Sequence, residues 1–458
     1  MSTSQTTLDP SYLTAKNNRS LPGVPGRYGW PLVGRNLELL ADPLKFLEDQ
    51  HKEYGDVAKS NIARCRCVTV YGPEHAKNII LDADRTFSVK RGWEILIPEF
   101  FKGGLLHKDY DDHRVQRRIM QTAFKSNSLR NYTEVIIKEV GEHIQRWSQK
   151  NDIILFTEIK QLLLDIAFKV FCAVDDNDND RKQVNQAFTE MMEGAAAMAQ
   201  FDIPGTAFHK GLKARKFLED YFRSKIEMKR QSNETDAFTF FCKETKENGE
   251  YFSDDEIADH VVFLMLAAHD TTASTFSMAC YYLAHDKEVQ TRFAEESKTL
   301  GDNISFDTMK TALPYAEAVF KETLRLHPAV PMFFRRTTQD SLIDGFLVPA
   351  NTMIMVPTIY NQRLPEFWPE PTVFKPSRFE PENIDKTQHS FAWYPFGGGA
   401  HKCIGLNFAD ILFKATMHEL LRNYEIDFTN EGYYPADIQM FPFSKPQNGL
   451  PLKLTQRG

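Results

Sequence analysis

Phe396-Gly397-Gly398-Gly399-Ala400-His401-Lys402-Cys403-Ile404-Gly405 is the stretch that decides the reading of this chain. Four glycines surround a single cysteine. Glycine lets a backbone approach a ligand closely and adopt conformations other residues avoid. Backbone N–H groups aimed at sulfur favour its thiolate. A helix is expected immediately after Gly405, and its N-terminal dipole favours the same charge. Phe396, seven residues before the cysteine, can screen the sulfur from water. The other five cysteines, at 65, 67, 172, 242 and 280, show neither zinc nor redox spacing. They read as free thiols in a reducing compartment.

Helical patterns prevail around this loop. The run carrying Phe408, Leu412, Ala415 and Leu420 has the spacing of a long final helix. Ser253-Asp254-Asp255-Glu256 is a capping box, opening a helix expected to reach His285; some thirty residues make it about 45 Å long. Another helix is expected from Pro314 to Leu326. Between His113 and Arg230 helical spacing dominates, interrupted at Phe201-Asp202-Ile203-Pro204-Gly205. Strands are expected near Asp56–Ser60, Cys65–Tyr71, Ser341–Val348 and Thr352–Thr358. The expected fold is mainly α with a small β region.

The 458 residues include 35 Phe, so large apolar surfaces must be buried. One domain over 21–458 is expected, built around a cofactor, after a polar, disordered leader at 1–20. The net charge of −7 argues against nucleic acid as a partner. The chain lacks the run of roughly 18 apolar residues needed to span a bilayer, and no signal peptide is visible. A soluble, cytoplasmic protein without a membrane anchor is therefore expected. An apolar segment containing Trp93, Ile95, Leu96, Phe100, Phe101, Leu105 and Leu106 suits the wall of a cavity.

Phe396 to Gly405 fits Phe-x-x-Gly-x-x-x-Cys-x-Gly, and the chain thereby resembles the cytochrome P450 family. Two further stretches carry the resemblance. One is Glu322-Thr323-Leu324-Arg325 with Arg378 in Pro376-Ser377-Arg378-Phe379. The other is Ala267-Ala268-His269-Asp270-Thr271-Thr272 in the long helix, with Ala268 where glycine is commoner. The resemblance implies a single large domain holding haem b between that helix and the cysteine loop. It makes Cys403 the axial iron ligand, with Phe396, Gly399 and Gly405 shaping the loop. It gives Asp270 and Thr271 to proton delivery, and Glu322, Arg325 and Arg378 to a buried network supporting the loop. The haem propionates, anionic, fall to His113, Arg117, Arg335 and His401. Substrate contacts fall to Trp93, Ile95, Leu96, Phe100, Phe101, Ala267, Ala268, Val330, Met332, Phe333 and Phe441. Short stretches around Leu264 and Pro395 are similar to the branch that handles sterols and retinoids.

The implied activity inserts one oxygen atom of dioxygen into an apolar, medium-to-large substrate such as a lipid, terpenoid, steroid or retinoid. Electrons would come from a separate ferredoxin and its reductase, because the chain shows no cluster-type cysteine spacing. Docking is expected on the face behind Cys403, through His113, Arg114, Arg118, Lys402 and Lys414, with the enzyme a monomer. Two alternatives stay open: a haem-thiolate peroxygenase or isomerase needing no electron donor, and a non-catalytic haem or small-molecule binder.

Overall fold

The computed structural model describes residues 21–31, 33–63, 65–94, 100–174, 178–195, 197, 201–246, 249–384, 388–441 and 443–458. The expected leader and the pocket candidates Ile95 and Leu96 lie outside the described residues.

Seven helices position the site: α1 (Tyr110–Met120), α2 (Leu155–Ala167), α3 (Asp178–Ala195), α4 (Ala207–Gln231), α5 (Asp254–His285), α6 (Pro314–Leu326) and α7 (Leu406–Asn423). α5 starts as its sequence dictates. The Ser253 side chain accepts the Glu256 N–H at 3.2 Å, and the Glu256 carboxylate accepts the Ser253 N–H at 2.9 Å. Every side chain from Val261 to Ala284 is buried or half-buried, so α5 is covered on all sides and runs through the core. α2 and α4 pack along it, and α3 pairs with α4. Gly194 and Gly211 lie where α3 and α4 meet. A β-carbon on Gly194 would come within 2.8 Å of the Gly211 Cα, so glycine is required there.

The β region is one five-stranded sheet with smaller satellites. Its strands are β1 (Val57–Ile62), β2 (Cys65–Val70), β3 (Phe87–Ser88), β4 (Phe333–Thr337) and β5 (Met353–Val356), in the spatial order β1-β2-β5-β4-β3. Only β2 and β5 run parallel; the other pairs are antiparallel. Side chains alternate along a strand. Phe333 and Arg335 therefore share the face of β4 that meets the helical core.

Candidate active site

The glycine loop is shaped by backbone geometry before any side chain acts. Phe396 O accepts the Cys403 N–H at 2.9 Å, and Tyr394 O accepts the Gly397 N–H at 2.9 Å. Gly397 and Gly399 adopt φ of +67° and +60°, which a side chain would strain. A β-carbon on Gly399 would also sit 3.2 Å from Leu81 Cα. At Gly405 a β-carbon would make only ordinary contacts, 3.9 Å from the Phe124 ring and 4.0 Å from Cys403 Sγ. α7 begins at the next residue, as expected. The other five cysteines are buried, whereas Cys403 presents surface to a cavity. Burial of the loop raises the Cys403 thiol pKa. The Gly405 N–H and the charges of Arg117 and Lys402 pull it back down.

That cavity, of about 320 Å³, lies between α5 and the loop. Trp93, Phe101, Ala267, Ala268, Val330 and Phe333 line it, with Leu105 and Leu106. Phe396 and Gly405 lie on its floor beside Cys403. Three expected contacts point elsewhere. Phe100 turns away from its neighbour Phe101 and is buried against Phe208, ring centres 5.5 Å apart. Met332 packs behind the sheet with Met353 and Met355, on the side opposite Phe333. Phe441 joins that same cluster, and Phe443 takes the cavity position instead. Phe263, Phe320 and Phe408, which sequence reasoning does not assign to the cavity, also line it. Their helical spacing marks them as core, and nothing in it separates core facing a cavity from core facing another helix.

A cationic cluster forms one edge. His113 and Arg117 are four residues apart and share a face of α1; Arg335 comes from β4 and His401 from the loop. All four line the cavity. The His113 and His401 rings stack with centres 3.7 Å apart. Among the described residues no carboxylate lies within ion-pair distance of Arg117 or Arg335. Burial pushes the Arg335 pKa down to about 10, while Asp109 and Asp82 pull it upward. Burial, then His113, Arg335 and Arg117, push His401 down to about 2. Two arginine charges, Arg117 and Arg335, thus stand at a partly buried edge beside two neutral histidines with no acid in ion-pair contact among the described residues, and an anionic group there would relieve the imbalance. An apolar slot, a cysteine at its floor and cations at one edge fit a haem with two propionates.

On α5 the expected acid–alcohol pair is divided between two environments. Thr271 lines the cavity, and its hydroxyl donates to Ala267 O at 2.7 Å. Asp270 does not line it. Its carboxylate pairs with Lys160 of α2 at 2.9 Å and lies 3.2 Å from His269 Nδ1. Burial alone would raise the Asp270 pKa, but His269 and Lys160 outweigh it and hold the group at about 2.

The buried network lies on α6. Glu322 and Arg325 are fully buried, with two N–O bonds of 2.7 and 2.8 Å. Arg325 also donates to Gln362 O, Pro371 O and Val373 O. Arg378 reaches Glu322 at 3.3 Å, and the Lys375 N–H donates to the same carboxylate at 2.9 Å. The network connects to the cysteine loop through Gln362. Its amide donates to Leu324 O at 2.9 Å, and its carbonyl accepts the Tyr394 N–H at 2.7 Å.

The model of the family described as Cytochrome P450 matches residues 24–454. The chain belongs to the cytochrome P450 family. Cytochrome P450 136 of Mycobacterium tuberculosis is 34% identical over 444 residues, covering 95% of this chain and 89% of that protein. Abscisic acid 8'-hydroxylase 1 of Arabidopsis thaliana is 29% identical over 450 residues, covering 95% of this chain and 92% of its own. The solved structure of retinoic acid bound cyanobacterial CYP120A1 superposes with a TM-score of 0.87 at 24% identity, covering 96% of this chain and all of that one. This P450 is accordingly a haem-thiolate monooxygenase with haem b as cofactor. It uses dioxygen, a redox partner and apolar substrates. Among the described residues no helix is long and apolar enough to cross a membrane.

Proposed function

We propose that this P450 hydroxylates an apolar, medium-to-large substrate of lipid, terpenoid, steroid or retinoid type, held over Cys403 by the cavity between α5 and β4. The observation that carries this reading is that the Cys403 thiol and the Thr271 hydroxyl open into one cavity lined largely by phenylalanine and leucine. Cys403 would hold the haem iron through its thiolate, and Arg117, Arg335, His113 and His401 would hold the propionates. A bound haem supplies dioxygen activation, which a thiolate ligand favours by donating electron density. The chain's own part is to bind the substrate, exclude water and deliver protons. Relatives named as hydroxylases support the reaction type. Titrating the holoenzyme with a lipid, terpene and steroid library tests the substrate class. Soret shifts confined to polar compounds would overturn it.

Thr271 holds the proton donor position at the cavity surface, and the proton that replaces its own comes from the Lys160–Asp270 pair on the other side of α5, where the lysine carries it. General acid work of this kind contributes about 10²–10⁴-fold. Thr271→Ala is expected to keep substrate binding and NAD(P)H consumption while product per NAD(P)H falls several-fold, with peroxide appearing instead. Full coupling in that variant would remove Thr271 from proton delivery. A peroxygenase or isomerase would turn over without NAD(P)H, and that comparison separates it from the monooxygenase.

The electron donor is a separate acidic ferredoxin, served by a reductase in the cytoplasm, and the enzyme acts as a monomer. Of the docking face expected from sequence, His113 and Lys414 are buried, and Lys414 pairs with Asp410 at 3.0 Å and Glu317 at 3.3 Å. Arg114, Arg118 and Lys402 are exposed and border a basic depression together with Arg85. Steering by such a patch weakens with salt. Reversing charge at Arg114 and Lys402 together is expected to slow ferredoxin-driven reduction about tenfold or more at low salt and to flatten its salt dependence. Unchanged stopped-flow rates and slopes would rule the patch out.

A further inference from the structure

One buried arginine outside the cavity bonds the backbone that carries the cavity wall. Arg215 of α4 is almost fully buried. Its guanidinium donates to Phe100 O, to Lys102 O at 2.8 Å and to Asp259 of α5 at 2.6 Å, while Nε bonds Glu219 at 2.7 Å. Phe101 sits between those two carbonyls and turns its ring into the cavity, facing the Phe263 ring at 6.2 Å. Phe100 points the other way, into the slot made by Gly194 and Gly211. A β-carbon on either glycine would come within about 3.0 Å of the Phe100 ring.

The rest of the segment lies flush on α5. Gly103 has φ of +78°, and a β-carbon there would fall 1.8 Å from the Asp259 carboxylate. One on Gly104 would fall 2.5 Å from the Phe263 ring. The wall is thus pinned at its backbone by one rigid fork of donors, and that fork is anchored to both α4 and α5.

We propose that Arg215 is a positioning residue for substrate selection: by holding the carbonyls of Phe100 and Lys102 against Asp259, it fixes Phe101 as the wall that limits how large a molecule can stand over Cys403. This rests on the reading of the cavity as the substrate site. Arg215 touches neither substrate nor cofactor and acts only through Phe101. Asp259 is the group that couples this to pH. Burial pushes its pKa up to about 6, against the pull of Arg215; Glu219 and Asp255 add to the rise and Lys102 opposes it. Below that value Asp259 is neutral, and the anchor of Arg215 loses its charge.

Two azoles read the wall and the iron separately. Imidazole needs only access to the iron, whereas clotrimazole must also fit beneath Phe101. Dissociation constants from Soret shifts are measured on holoenzyme for wild type, Arg215→Lys, Arg215→Met, Asp259→Asn and Phe101→Ala. The clotrimazole-to-imidazole ratio is expected to change about fivefold or more in the Arg215 variants, with imidazole itself within about twofold. In the Phe101→Ala background the Arg215 substitutions are expected to leave the ratio unchanged, which marks coupling through Phe101.

With both dissociation constants expressed per unprotonated azole, the wild-type ratio should drift toward the variants' value as the pH passes below the Asp259 pKa. Asp259→Asn, in which Glu219 still pairs with the buried Arg215 charge, should hold that value at every pH. An unmoved ratio in both Arg215 variants, an equal shift with Phe101 absent, or pH dependence surviving in Asp259→Asn would each overturn the proposal while the cavity reading stands. If imidazole gives no Soret shift in wild type, the cavity reading itself falls and the proposal falls with it.

Discussion

Cys403→Ser is expected to abolish turnover while leaving the fold intact. Serine keeps the size of the side chain and its place beside the Gly405 N–H, so the loop closed by the Cys403–Phe396 backbone bond has no reason to open. What changes is the charge on the ligand. A thiol whose pKa is raised by burial can still ionise when Arg117, Lys402 and an iron centre favour the anion. An alcohol starts several units higher and remains a neutral, weak donor. The electron density that promotes O–O cleavage is then missing. Losing about 4 kcal/mol of transition-state stabilisation already slows a reaction about a thousandfold, and at least that loss is expected. The check is a far-UV dichroism spectrum like the wild type's, loss of the thiolate signature in the reduced carbon monoxide complex, and product at background. A Cys403→Ser enzyme that retained the signature would place the ligand elsewhere.

Glu322→Gln is expected to be the most destabilising single change outside the loop. Glu322 and Arg325 have no exposed side-chain surface, and the carboxylate serves two arginines and a backbone N–H. The amide keeps the shape but leaves the Arg325 charge buried and uncompensated. Removing one member of such a pair costs about 3–5 kcal/mol. Because Gln362 joins this network to Tyr394, two residues before Phe396, the loss should extend to the cysteine loop and lower haem retention as well as the unfolding midpoint. Arg378→Lys is the contrasting case. Arg378 reaches Glu322 at 3.3 Å and otherwise bonds the carbonyls of Pro369 and Glu370. Its replacement should cost distinctly less, and calorimetry of the two variants side by side checks the order. Equal midpoints for wild type and Glu322→Gln would mean that the network does not support the loop.

Much of this architecture was legible because it is written in local chemistry. The capping box at Ser253, the proline at position 314 and the glycine before Leu406 each specify a helix end through groups a few residues apart, and α5, α6 and α7 begin there. The Glu322–Arg325 pair was legible for the same reason, since three residues along a helix share a face. Facing, in contrast, was legible only where periodicity decides it. Phe100 and Phe101 are identical in type and adjacent in an irregular segment, so only the glycine slot between α3 and α4 reveals which one turns inward. The Asp270–Thr271 pair presents the same difficulty: neighbouring helical residues diverge by about 100°, and the pull of Lys160 comes from another helix. Phe441 was chosen where Phe443 lines the cavity, because no regular element sets the alternation there. Lys414 of the expected docking face is buried, paired with Asp410 of its own helix and with Glu317 of α6, and that second contact is a tertiary fact.

The crossing of α3 and α4 separates two kinds of control over selectivity. The slot formed by Gly194 and Gly211 holds Phe100, and Phe100 is covalently bound to the residue that forms the cavity wall. A methyl group added at either glycine would meet the backbone of the facing helix at 2.8 Å and the Phe100 ring at about 3.0 Å, so it would strain the crossing of α3 and α4 as well as Phe100. Selectivity in this enzyme can therefore be retuned by mutations that never touch the pocket. An engineering library would do well to keep both glycines and vary the residues around the Phe100 ring instead.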